Sequence, residues 1–190
     1  ERLLGGGMEA SPGAWRVSAL YGRSRQALAP DTAGGYGGDY RRMITAAKVG
    51  YGKEGEFFVH LNALHAQDDT ASIGAGAAEL LPAARENLTG SLAFGVPFGD
   101  VVRATGEVAL SHTINDLRLR SREGYTAQVD GAAKLNVLII PSQQWQIGLN
   151  SRWVGPGYYT LGYVQMPNDI FEFTVAPALR LTEERINLRA

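Results

Sequence analysis

Hydrophobic and polar residues alternate along most of the chain. Between residues 133 and 137, for example, Ala133, Leu135 and Val137 alternate with Lys134 and Asn136. Successive residues of a strand point to opposite faces, so this period of two predicts β-strands. Only residues 71–86 could hold a short helix. The predicted strands are 1–10, 15–22, 40–51, 57–66, 86–96, 101–114, 125–140, 145–154, 169–181 and one that begins near residue 185.

The connections between these strands alternate between short and long. The short ones are rich in turn-forming residues such as Pro, Gly, Ser and Asp. We therefore predict an antiparallel up-and-down meander of about ten strands, with short turns at one end and long loops at the other. The short turns are 11–14, 52–55, 97–100, 141–144 and 182–184, and the long loops are 23–39, 67–85, 115–124 and 155–168.

The two faces of the predicted strands differ in chemistry. One face is apolar and almost free of charge, and aromatic residues cluster towards the strand ends. The other face mixes charges of both signs, which is poor material for a dry core because buried unpaired charges are costly. A transmembrane outer-membrane β-barrel with a polar lumen fits this pattern. The residues that we expect to line the lumen are Lys48, Arg103, Glu107, Asp130, Lys134 and Arg152.

A soluble β-sandwich or lipocalin-like barrel is the alternative, because it would show the same alternation with the apolar face turned inward. The apolar face, however, mixes Ala and Gly with its larger residues, whereas a packed core is usually richer in Leu, Ile and Val. This composition, the aromatic clusters and the length of the strands at 101–114 and 125–140 favour the membrane barrel.

The overall composition excludes several classes of function. The 18 basic and 19 acidic residues give a formal charge of −1, so the chain as a whole has no electrostatic bias towards binding nucleic acid. The absence of cysteine excludes disulfides and thiolate chemistry. No apolar run approaches the length of about 20 residues that a transmembrane helix needs. We expect no cofactor.

Candidate catalytic and metal-binding residues are few. His60 and His65 fall on opposite faces of one strand, and so do Ser111 and His112, which argues against a histidine metal pair or a triad with Asp116. Asp68 and Asp69 open a long loop, where a calcium site is one interpretation and a solvated Asx turn the favoured one. We therefore expect neither an enzyme nor a metal site.

Two loops carry candidate contact residues. Arg118, Arg120 and Arg122 alternate through one long loop and could bind phosphate groups or an acidic partner, although a solvated loop tip is the simpler interpretation. Tyr158 and Tyr159 lie among glycines in another loop. That loop could fold into the lumen, dock a partner, or place its aromatic residues at the membrane interface.

Several local patterns are signatures of strands, turns and loop ends rather than catalytic motifs, and they span most of the chain. They lie at 7–23, 48–55, 66–73, 86–88, 155–162 and 167–169. Together they resemble large outer-membrane β-barrel proteins of Bacteroidota-type bacteria. The resemblance implies a barrel in the bacterial outer membrane and names no cargo.

We therefore expect residues 1–190 to form a single barrel domain or a segment of a larger barrel. The expected function is a pore, transporter or secretion channel in the outer membrane. A non-conducting barrel that anchors a surface or membrane complex is one alternative, and a soluble all-β ligand-binding protein is another. The expected partners are outer-membrane lipid and, for the anchoring alternative, other subunits of a membrane complex.

Overall fold

The computed structural model describes residues 3–31, 37–53, 55–73, 81–119, 127–162 and 166–179, and the backbone of 180 and 185–187. Within these residues, no helix is long and apolar enough to cross a membrane. The strands are β1 (Leu4–Ala10), β2 (Trp15–Arg25), β3 (Arg41–Gly52), β4 (Phe58–Asp69), β5 (Glu86–Phe98), β6 (Val102–Ile114), β7 (Ala127–Ile139), β8 (Trp145–Val154), β9 (Ile170–Arg180) and β10 (Arg185–Asn187).

All the strands belong to one sheet, in which they follow one another in chain order. Every neighbouring pair is antiparallel, from β1 with β2 to β9 with β10. The prediction of an all-β, antiparallel up-and-down meander is therefore confirmed. In the part of the chain that the structure describes, β1 and β10 do not pair, and this open sheet fits a partial barrel.

Three strands extend beyond their predicted ends. β2 continues to Arg25, β4 to Asp69 and β5 to Phe98. The residues at these ends were assigned to loops or turns, but ladder partners continue the pairing, as Arg42 does with Asp68. Residues 71–86 were the one stretch that could hold a short helix, and their described part holds no α-helix: a single 3-10 turn at Thr70–Ser72 precedes β5. Residues 74–80 lie outside the described residues.

The two faces of the sheet differ as the alternation indicates. On the apolar face, large side chains remain open to the surroundings: Leu110 is 66% exposed, Val129 65% and Phe171 71%. The polar face is more buried, because the long loops fold over part of it. A soluble protein would normally bury its apolar face instead.

The packed regions lie beside the long loops. Tyr40, Leu81 and Ala84 form one buried cluster, which joins the loops that precede β3 and β5. Ile44, Ala66 and Leu161 form a second cluster on the polar face, with Leu161 supplied by the loop that follows β8. At the opposite end, the short turns expose their aromatic residues. There Trp15 and Tyr51 meet edge to face at 5.3 Å.

Candidate functional site

The six residues expected to line the lumen share the polar face. Lys48 in β3 lies opposite Ser18 and Asn62, and Asp130 in β7 lies opposite Ser111. Glu107, Lys134 and Arg152 follow one another directly across β6, β7 and β8. Arg103 lies nearer the short turns, opposite Pro97 and Leu138. The alternation therefore groups these six residues, although it does not show which of them interact.

Two ion pairs that involve expected lumen residues connect neighbouring strands on this face. Lys134 Nζ lies 2.8 Å from Glu107 Oε2, and Arg152 NH1 lies 3.8 Å from Glu172 Oε2. Both pairs are partly exposed, so each contributes little to stability. Lys48 forms no such pair with any residue that the structure describes. Charges of both signs therefore lie on the same face, and Glu107, Lys134 and Arg152 are balanced by charges on neighbouring strands.

A segment of the loop between β8 and β9 crosses the polar face. We call residues Gly155–Gly162 the strap. It leaves β8 over β7, where the N–H of Gly155 donates to the carbonyl of Gly131 at 2.9 Å, and it reaches β3 and β4, where Leu161 packs against Ile44 and Ala66. The strap thus spans five strands of the polar face.

Asn87 in β5 holds the centre of the strap. Its Nδ2 group donates to the carbonyl of Tyr159 at 2.9 Å, and its Oδ1 accepts from the N–H of Leu161 at 3.2 Å. The same Nδ2 group also contacts the hydroxyls of Ser111 and Thr113 in β6, at 3.0 and 2.9 Å. The Ser111 hydroxyl in turn donates to the carbonyl of Tyr159. Asn87 is fully buried, so these bonds replace its contacts with water.

Two further contacts hold the strap. The carboxylate of Asp130 accepts the N–H of Gly157 at 2.7 Å, so this expected lumen residue binds the strap. The guanidinium of Arg85 lies 5.6 Å from the ring centre of Tyr159 and donates to its hydroxyl at 3.3 Å. Tyr158 is buried. Three interpretations of this loop were left open by the sequence. These contacts fit the first of them, because the loop folds onto the polar face, which was expected to line the lumen.

Asp68 is the centre of a buried charge cluster at the long-loop end of β4. Its carboxylate accepts from Arg42 at 2.8 and 3.1 Å, from Arg25 at 2.9 Å and from the N–H of Arg85 at 3.0 Å. The interpretation of Asp68 as part of a solvated loop is therefore wrong, because these donors close over it. Only Asp69 fits that interpretation, since it accepts the N–H of Ala71 as in an Asx turn.

The arginine-rich loop is described only as far as residue 119. Arg118 pairs with Asp116 at 2.7 Å, and its NH1 group lies 3.4 Å from the carbonyl of Leu81. The hydrogen bonds from Arg118 hold the pKa of the Asp116 carboxyl below its usual value, and the same bonds raise the pKa of Arg118. Arg120 and Arg122 lie outside the described residues.

The histidines do not converge on a site. The ladder places Ser111 on the polar face and His112 on the apolar face, which separates them as the alternation predicts. His65 lies on the apolar face, where its Nε2 is 3.0 Å from Glu86 Oε1. Among the described residues, no three His, Asp or Glu side chains are grouped so that they could hold a metal ion.

No family model, curated protein or solved structure matches this chain. Its function is therefore inferred from the geometry of its described residues. That geometry adds two residues to the expected site, Asn87 and Asp68. The sequence signal for Asn87 was the alternation in β5, which placed it on the polar face together with Thr89 and Ser91. Nothing in the alternation indicated that a loop would cover it.

Proposed function

We propose that this chain forms the wall of an outer-membrane β-barrel that passes hydrophilic solutes through a polar lumen. The observation that carries the proposal is the inverted distribution of polarity, with large apolar side chains exposed on one face and ion-paired polar groups on the other. Lipid would cover the apolar face, and the ladder would satisfy the backbone hydrogen bonds within the hydrocarbon.

The dimensions of the apolar face support this proposal. Apolar residues extend from Leu88 to Phe98 in β5 and from Val129 to Ile139 in β7. At about 3.3 Å per residue and a tilt of about 40°, each stretch is about 25 Å high, which matches the apolar band of outer-membrane barrels. The exposed Trp15, Tyr51 and Phe98 would lie at one membrane interface.

The polar face supports a selective passage. Fixed charges in a water-filled lumen attract ions of the opposite sign, so they set the ion selectivity. Lys48, Lys134 and Arg152 all lie on the wall of the proposed lumen. The strap crosses the same wall and would narrow the passage.

The test is electrical. The native protein would be recovered from outer membranes in detergent and inserted into planar bilayers under a salt gradient. With Lys48, Lys134 and Arg152 replaced by Glu, we expect the reversal potential to shift towards cation selectivity. Replacing the exposed turn residue Lys53 by Glu is the control and should shift it less. An unchanged reversal potential in the triple variant would contradict the passage.

A non-conducting barrel that anchors a membrane complex is the second candidate. The strap and the buried clusters beside the long loops favour it, because they cover the polar face at that end. This candidate predicts no conductance together with stable co-purification of other subunits. Steady conductance by the isolated protein would rule it out.

A further inference from the structure

A cavity of about 630 Å³ lies on the polar face beside the strap. Its volume is within the range of about 300–1,000 Å³ that is common for small-molecule sites. Two neighbouring rows of paired residues form its floor, and Thr160 of the strap also lines it. These two rows differ in chemistry, and the difference indicates what the cavity could bind.

The first row offers hydrogen-bond donors around a positive charge. Ser18, Lys48 and Asn62 lie side by side on β2, β3 and β4. Asn62 donates one N–H to Ser91 Oγ at 3.1 Å, which leaves its second N–H for a ligand. An amine, an amide and a hydroxyl together suit a carboxylate.

Within the described residues, Lys48 lacks the carboxylate partner that three other cations of the polar face have. Lys134, Arg152 and Arg42 each have a carboxylate partner, at 2.8, 3.8 and 2.8 Å. Lys48 has none in the described part of the chain, although both of its neighbouring strands are described around it. Its charge is therefore available to an anion from solution.

The second row is small and apolar. Leu20, Ala46 and Leu64 lie side by side next to the first row, and all three line the cavity. They would receive the carbon part of a ligand whose charged end binds Lys48. Glu9 lines the same cavity beyond Ser18, and its negative charge disfavours a ligand with a second carboxylate.

We propose that this cavity binds small organic monocarboxylates. Lys48, Ser18 and Asn62 hold the carboxylate, and Leu20, Ala46 and Leu64 contact the carbon chain. This inference rests on the proposed function and adds to it, since it names a class of solute that the lumen would bind. The site itself requires only the arrangement of β1 to β5 and the strap.

The experiment measures butyrate binding to the native protein in detergent by saturation-transfer NMR, with titration for affinity. We expect Lys48→Met to weaken binding by about tenfold or more, because a charge-assisted hydrogen bond is lost. Lys48→Arg should keep most of the affinity. Lys134→Met is the matched control, because it removes the same charge where Glu107 already balances it, and it should change the affinity by less than about twofold.

Two competitors refine the assignment. Neutral 1-butanol should bind at least about tenfold more weakly than butyrate, and so should the dianion succinate. Equal binding of butyrate by the wild type and by Lys48→Met would overturn the proposal, and so would equal binding of butanol and butyrate.

The butyrate-binding experiment and the conductance experiment can give independent results. Butyrate binding that depends on Lys48 in a protein without conductance would support the site and contradict the passage. Conductance without butyrate binding would support the passage and overturn the site.

Discussion

Asn87 and Asn136 both lie on the polar face, but their surroundings are opposite. Asn87 belongs to the long-loop half, where Asp68, Ser111 and Thr113 are also buried. Asn136 belongs to the short-turn half, where Arg103, Thr105, Gln146 and Asn150 are exposed. Asn87 bonds to β6 and to the strap, whereas Asn136 forms no side-chain hydrogen bond within the described residues.

The comparison shows that polar residues on the same face of the sheet have two different roles. In the long-loop half, polar groups are removed from water and must form hydrogen bonds within the protein. These bonds hold neighbouring strands and the strap together. In the short-turn half, exposed polar groups such as Asn136 and Asn150 remain accessible to water, so their identity can vary without loss of structure. The largest effects of substitution should therefore lie in the long-loop half.

The largest effect is expected at Asp68. Asp68→Ala would leave Arg42 buried without its carboxylate, and breaking a buried pair costs about 3–5 kcal/mol in the free energy of unfolding. The adjacent Asp69→Ala is the matched control, since its pair with Arg41 is more exposed and should contribute less than about 1 kcal/mol. Urea unfolding in detergent measures both, and equal costs would mean that the burial of Asp68 does not make its ion pair more important than the exposed pair of Asp69.

A smaller effect is expected at Asn87. Asn87→Ala leaves the buried N–H of Leu161 and the carbonyl of Tyr159 without this partner, at a cost of about 1–3 kcal/mol. The chain has no cysteine, so Leu161→Cys provides a single label site in a position that is fully buried. A thiol reagent should label this cysteine faster when Asn87 is also replaced. Thr105→Cys, already exposed, should label equally in both backgrounds, whereas an unchanged rate at position 161 would show that Asn87 does not hold the strap.

The smallest effect is expected on the polar face of the short-turn half. Asn136→Arg places a charge among exposed polar groups, so the free energy of unfolding in lipid vesicles should change by less than about 0.5 kcal/mol. Its neighbour Leu135 is 44% exposed on the apolar face, and Leu135→Arg should cost about 2–4 kcal/mol if that face meets lipid. Similar costs for the two variants would mean that the faces are not distinguished by lipid.

The regular part of the fold was predictable because it depends on local alternation. β8 was predicted to the residue at 145–154, and β3, β6, β7 and β9 within one or two residues at each end. The extensions of β2, β4 and β5 were missed, since the added residues are polar in β2 and β4 and include the turn residue Pro97 in β5, and their pairing depends on neighbouring strands. The alternation also assigned the six lumen residues to one face.

The contacts of the site were less predictable. Asp68 and Arg42 are distant in sequence, and only the ladder register makes them neighbours. The strap lies on β3 to β7 through contacts with residues as much as 117 positions away, such as Leu161 with Ile44. A single sequence gives no periodic signal for such long-range contacts, so the loop around Tyr158 and Tyr159 left three interpretations open.

The strap also discriminates between alignments of the sheet. A slip of β5 by one residue would turn Asn87 towards the apolar face and place Leu88 beneath the strap. The carbonyl of Tyr159 and the N–H of Leu161 would then face an aliphatic side chain. The strap can therefore bind the polar face only when β3 to β7 are paired in the correct register. Binding of the strap thus indicates that the sheet has been assembled correctly.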